Sequence, residues 1–148
     1  MNRIVFAPLF LALPFLISAI PLKNDMTAAM NVANSFYDGY VKVVMSNGDR
    51  KAYVQASPFV TPAFKNAYEE FLKKGGSQDP IVCGRDVSKS GLSWVSSGTA
   101  GRDIVVTRFR VIGEDKALKP LEVFVKFSSG QWRIDGTDDL HNKVTKDR

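Results

Sequence analysis

Cysteine and histidine are nearly absent from this chain. Its 148 residues include one cysteine, Cys83, and one histidine, His141. A single thiol cannot close an internal disulfide, so packing must hold the fold together. Neither residue lies in a recognisable nucleophile motif, which disfavours a catalytic Cys83–His141 dyad. We interpret Cys83 as a buried small apolar residue, because free cysteine is common in protein cores.

Signatures of metal and phosphate sites are missing as well. Asp135, Asp138 and Asp139 lack the ligand spacing of a calcium loop. The small residues at 97–101 lack the lysine of a phosphate-binding loop, and they are more typical of a hairpin loop. The sequence therefore predicts neither a metal site nor a cofactor.

Two aspartates flank the cysteine. As a pair of acids, Asp79 and Asp86 could transfer protons or hold a cation. An aspartate before a proline, as Asp79 is before Pro80, is also typical of a turn, and Asp86 can cap nearby backbone amides. The structural interpretation is favoured.

The overall charge and composition indicate one globular domain. The formal net charge is +5, with 45% hydrophobic and 24% charged residues. Ten phenylalanines supply large apolar groups for a core. The charge is too small to predict a nucleic-acid partner.

The first residues have the pattern of an export signal. Arg3 precedes an apolar run at 4–20 that ends in small residues, which predicts a signal peptide over 1–19. Pro8 and Pro14 disfavour a permanent membrane span, although a retained anchor remains the alternative. We expect a periplasmic protein with no span after cleavage, a single domain over 26–140, and a polar tail over 141–148.

The mature part changes period once. Apolar spacing predicts a helix from caps near Asp25 to residue 45 and a second over 62–74, joined through a connector at 51–56. Alternating residues then predict strands over 92–99, 103–112, 121–127 and 131–135, the last two forming a hairpin. The predicted fold is α+β, with two N-terminal helices packed on a curved antiparallel sheet. Its interior should contain Phe36, Phe109, Val123 and Trp132.

Four stretches carry a family resemblance. Residues 33–40 read ANSFYDGY, residues 53–59 read YVQASPF, residues 79–86 read DPIVCGRD, and residues 130–136 read GQWRIDG. They resemble the nuclear-transport-factor-2-like superfamily, in particular a group of exported bacterial domains of unknown function. The resemblance implies a cone-shaped α+β fold. In size, export signal and architecture the chain is also similar to immunity proteins against type VI secretion amidase effectors.

One face of the predicted sheet is the candidate binding surface. If the apolar set points inward, the outward set contains Arg108, Arg110, Phe124, Lys126 and Arg133. Cations around an aromatic residue are typical of protein-binding hot spots. A merely solvated face, partly neutralised by Glu122 and Asp135, is the alternative. The first interpretation predicts a non-catalytic periplasmic protein that binds or inhibits another protein, such as an amidase toxin.

A second function comes from another class. A cone of this type could enclose a small molecule or a hydrolytic site, with a pocket lined by Tyr40, Trp94 and Phe109. An occluding protein should have a filled interior, whereas a carrier or enzyme should have an open one. A homodimer is compatible with either function.

Overall fold

The computed structural model describes residues 25–140, so the predicted signal peptide and the polar tail with His141 lie outside the described residues. Three helices precede four strands: α1 (Met26–Met45), α2 (Arg50–Ala56), α3 (Pro62–Lys73), β1 (Leu92–Thr99), β2 (Ile104–Val111), β3 (Leu121–Ser128) and β4 (Gln131–Thr137). The predicted α+β class is confirmed. No helix within 25–140 has the length and apolarity that crossing a membrane would require.

The first helix begins and ends where its sequence predicts. The carboxylate of Asp25 accepts a hydrogen bond from the Ala28 amide at 2.9 Å, which satisfies one free N–H of the first turn. The backbone N–H of Ser46 closes the last turn on Lys42, and Asn47 then adopts a positive φ of 52°.

The sequence predicts two helices before the strands, and the structure has three within residues 25–140. Residues 51–56, expected to be a connector, belong to α2, whose N-cap Asp49 accepts from the Ala52 amide at 2.8 Å. Seven residues are too few to show a helical period in the sequence. Helix α2 is fixed to α1 because Tyr53 donates a hydrogen bond from its hydroxyl to the Phe36 carbonyl at 2.8 Å. Position 39 must be glycine for this contact, because a Cβ there would collide with the Tyr53 hydroxyl.

The four strands form an antiparallel meander in the order β1-β2-β3-β4. Bulges interrupt the β1–β2 pairing at Trp94/Ser96 and the β3–β4 pairing at Phe124/Val125. The free edge of β4 is partly covered, since Ile134 exchanges backbone hydrogen bonds with Phe59 and Thr61 at 2.8 and 2.9 Å. Strand β1 is the opposite outer strand.

Helix α1 packs against all four strands and buries one face of the sheet. The four residues predicted for the interior, Phe36, Phe109, Val123 and Trp132, are all at most 5% exposed, so that prediction is confirmed. The Tyr37 ring packs against Phe109 with centroids 5.1 Å apart. Large rings at this depth contribute most of the burial that stabilises a domain without disulfides.

The irregular segment 78–91 closes one end of this interior. Its Ile81, Val82 and Val87 side chains are at most 1% exposed. The Tyr37 hydroxyl donates to the Ile81 carbonyl and the Thr137 hydroxyl to the Pro80 carbonyl, both at 2.8 Å. The segment is therefore part of the core, held from α1 on one side and from β4 on the other.

Candidate functional site

The structure brings the five predicted partner-binding residues to one face of the sheet. Alternate residues of β2 and β3 point into the core, so the intervening residues point away from the helices. This outward face includes Arg108 and Arg110 on β2, Phe124 and Lys126 on β3, and Arg133 on β4. It is not uniformly basic, because the strand register divides it into three zones.

An apolar row crosses the middle of the face. Gly98, Val106, Phe124 and Gly136 are in register across all four strands, and we call this row the central strip. Val106 is 6% exposed and Phe124 is half-buried. Because the two outer positions are glycines and Val106 is buried, the accessible apolar surface of the strip comes from Phe124.

On one side of the central strip the charges are balanced. The Arg108 Nε donates to Glu122 Oε1 at 2.9 Å, and Glu122 lies directly opposite on β3. Lys119 and Asp138 continue this ion-pair group. The predicted neutralisation by Glu122 therefore occurs, and it reduces what Arg108 can offer to a partner.

Arg110 has a structural contact of its own. Its Nη1 donates to the Asp115 carbonyl at 2.9 Å, which ties the loop after β2 to the sheet. Arg108 and Arg110 thus have partners within the fold.

On the other side of the strip, two cations lie directly opposite each other. Lys126 of β3 pairs in register with Arg133 of β4, and both side chains are half-buried. Within residues 25–140 neither forms a salt bridge, and Arg133 Nη2 donates to the neutral amide oxygen of Gln131 at 2.7 Å. Like charges facing each other across strands destabilise a sheet unless an anion lies between them. The Lys126–Arg133 pair is therefore the part of the face suited to bind an acidic group.

Asp135 does not neutralise this pair. It lies at the β4 bulge, is 8% exposed, and accepts a hydrogen bond from the Thr61 hydroxyl at 2.7 Å. Thr61 is the N-cap of α3, whose positive helix end favours a carboxylate nearby. The bulge thus turns this acid toward the helix, and a strict alternation along β4 does not reveal it.

The three residues of the predicted pocket are not brought together. Trp94 and Phe109 are paired in register and line a groove of about 380 Å³ between α1 and β1. Tyr40 lies in the core, where its hydroxyl donates to Asp79 at 2.7 Å, and Tyr37 lines the groove instead. Sequence reasoning missed the polar rim of this groove, which Asn34, Asp38 and Lys42 of α1 form.

No family model, curated protein or solved structure matches this chain. Its function must follow from the chemistry of its own residues. Among residues 25–140, no three histidine, cysteine, aspartate or glutamate side chains are grouped so that they could hold a metal ion.

Both aspartates near the cysteine make hydrogen bonds that shape the loop. Asp79 accepts from Tyr40, from Arg50 at 3.2 Å and from the Ile81 amide at 3.0 Å. Burial, reinforced by the nearby Asp79 carboxylate, raises the pKa of Tyr40 far above its usual value, so this phenol stays protonated. Asp86 accepts from the amide and hydroxyl of Ser88. These contacts hold the turns of the segment.

Cys83 is half-buried rather than fully buried. It adopts a positive φ of 50° and packs against the core, with its Sγ 3.9 Å from the Pro80 carbonyl oxygen. Burial raises the pKa of its thiol to about 11, against an effect in the other direction from the Asp139 backbone. The thiol is therefore protonated at neutral pH, which is the opposite of what a nucleophile requires.

Proposed function

We propose that this chain is a non-catalytic, exported domain that binds an acidic protein in the periplasm through the outward face of its sheet. The observation that carries the proposal is the Lys126–Arg133 pair beside the central strip. A carboxylate of a partner placed between the two cations would relieve their mutual repulsion.

The central strip adds what a charge pair lacks. Protein interfaces have an apolar centre surrounded by polar groups, and their energy is concentrated in a few such residues. Half-buried Phe124 supplies that centre beside the almost fully buried Val106, while the cations next to it would speed the encounter with an acidic surface. Arg108, already paired with Glu122, would belong to the rim.

The absence of catalysis in this proposal is supported by the packed interior. Phe36 and Tyr40 pack against Tyr53 of α2, and segment 78–91 closes one end of the interior. Tyr37 packs against Phe109 of β2 and fills the space between α1 and the sheet. A cone-shaped fold of the nuclear-transport-factor-2-like type, which we propose for this chain, usually places its catalytic groups in that space. Here it contains apolar side chains and phenols bound to the loop.

The partner class that we propose is an amidase toxin delivered by type VI secretion. Inhibition by occlusion needs shape and charge complementarity and no reactive group. The small size of the domain, the apolar leading segment of the sequence and the basic pair are what support this class of partner.

Charge reversal of the basic pair tests the proposal. The partner would be captured from envelope extract, and any amidase that proves to be encoded beside this gene would be tested first. We expect the double substitution K126E and R133E to raise the dissociation constant about thirtyfold or more, because two attractive contacts become repulsive. Inhibition of peptidoglycan cleavage by the captured amidase should weaken in parallel.

The matched control is K116E, which changes an exposed lysine in the loop between β2 and β3. It should leave the affinity within about threefold, the range expected when a rim charge alters only steering. Equal affinity of the double variant and the unchanged protein would exclude the basic pair from the interface. Capture of a protein without amidase activity would refute the toxin class while leaving the surface testable.

A further inference from the structure

Strand β1 lies at an outer edge of the sheet and carries no charged residue. It reads LSWVSSGT from Leu92 to Thr99, without lysine, proline or acid. Proteins usually protect such an edge with charges, a proline or a covering segment, since alternate N–H and C=O groups point away from the sheet. The other edge, β4, is partly covered by residues 59–61. The bulge at Trp94/Ser96 is the one common edge protection within β1, which has no charge or proline.

Large apolar side chains are exposed around this edge. Trp94 is 51% exposed, Val95 41%, Ile112 55% and Met45 44%. Trp94, Ile112 and Met45 line the groove between α1 and β1, so they form one continuous surface rather than scattered residues. A continuous apolar surface beside an uncharged edge strand is typical of a protein interface.

The charges on the rim of the groove are of opposite sign. Helix α1 runs antiparallel to β1, because its Met26 shares a small cleft with Thr99 while Val41 lies beside Gly91. Asp38 and Lys42 follow each other along this helix, one turn apart, and both are exposed. Within residues 25–140 neither takes part in a salt bridge. The rim therefore offers one acid and one base.

We propose that this edge and groove bind a second copy of the chain, with β1 paired antiparallel to β1 of the other copy. A two-fold axis perpendicular to the sheet would join two four-stranded sheets side by side. The two α1 helices would then run antiparallel across the groove, with Asp38 of each copy facing Lys42 of the other. Because β1 is uncharged, two basic chains can approach there without direct repulsion.

A second copy fits these features better than an unrelated chain. An isologous interface must be complementary to itself. Asp38 and Lys42 meet that condition, because in two antiparallel copies of α1 the acid of each faces the base of the other. The same symmetry leaves the outward faces of both sheets on one side. The dimer would thus present two Lys126–Arg133 pairs without covering either.

A charge exchange tests self-association directly. By sedimentation velocity over a concentration series, the purified protein should form a dimer. Either single variant, D38K or K42D, should raise the dimer dissociation constant about tenfold, because two symmetric contacts become repulsive. The double variant D38K/K42D should restore the dissociation constant to within about threefold, since the exchanged charges still oppose each other.

Two further readouts separate this interface from other causes. K74D, which reverses an exposed lysine at the end of α3, should leave the dimer unchanged. Dilution should shift the fluorescence of half-exposed Trp94 to longer wavelength, and W94F should abolish that shift while buried Trp132 stays constant.

Three results would overturn the proposal. The first is a protein that stays monomeric up to about 200 µM, which would place the dimer dissociation constant above that concentration. The second is a dimer that the single variants do not weaken, and the third is a double variant that fails to recover. A groove that instead takes a small ligand or a strand of another protein would give the first result.

Discussion

Phe36→Ala is expected to lower the free energy of unfolding by about 3–5 kcal/mol, the range for removing a buried aromatic ring. Phe36 is fully buried, and its ring lies 5.3 to 5.8 Å, centroid to centroid, from those of Tyr37, Tyr40 and Tyr53. Because the hydroxyl of each tyrosine is hydrogen-bonded to an element other than its own, these rings cannot move in to fill the cavity. Urea denaturation followed by circular dichroism measures the loss.

Leu118→Ala is the matched control for that substitution. Leu118 is 52% exposed in the loop before β3, so its truncation should change the free energy of unfolding by no more than about 0.5 kcal/mol. A loss below about 1 kcal/mol for Phe36→Ala would contradict the packed interior, because it would mean that the ring has few contacts to lose.

Alkylation of Cys83 is expected to be at least about a hundredfold slower in the folded protein than in the unfolded chain at pH 7.5. Each unit of pKa reduces the reactive thiolate tenfold, and burial raises the pKa of this thiol from 9.0 to about 11. Iodoacetamide labelling followed by intact mass gives both rates, with the unfolded sample in guanidinium. Equal rates would show an accessible, ordinary thiol.

The same shift predicts a dependence of stability on pH. The unfolded thiol ionises at a lower pH than the folded one, so the folded state loses relative stability as the pH rises from about 9 towards 11. Below pH 9 this contribution is fully present. C83A should remove this part of the dependence, and it keeps a side chain at the positive φ that both residues must adopt.

Much of the fold follows from periodicity. The alternation along β2 and β3 is strict enough to separate Val105 and Val123 from Arg108 and Lys126. Helix α2 could not be found in this way, because its seven residues contribute one buried side chain, Val54. A short helix is recognisable mainly by its cap, and Asp49 also fits the turn that ends α1.

The sequence predicts which residues share the outward face of the sheet, but it does not predict which charges on that face lie opposite each other. Alternation places five residues on one face, but it does not say which charges meet. That depends on the register, in which Arg108 faces Glu122 and Lys126 faces Arg133. The bulge in β4 also turns Asp135 away, and no local signal in the sequence announces it.

The pocket shows a different limit. Tyr37 and Tyr40 are both buried on α1, and the sequence does not give the rotation of a helix about its axis against the sheet to better than one residue in either direction. Tyr37 meets Phe109 and Tyr40 meets Asp79. The polar partner of Tyr40 comes from an irregular segment whose path cannot be derived from a period.

Amide hydrogen exchange of the chain with and without its captured partner tests the central claim most directly. Residues 104–108 of β2, 122–127 of β3 and 131–136 of β4 should exchange more slowly in the complex, because they carry the central strip and the basic pair. Protection confined to 75–91 or to the helices, with these strands unchanged, would contradict binding through the outward face.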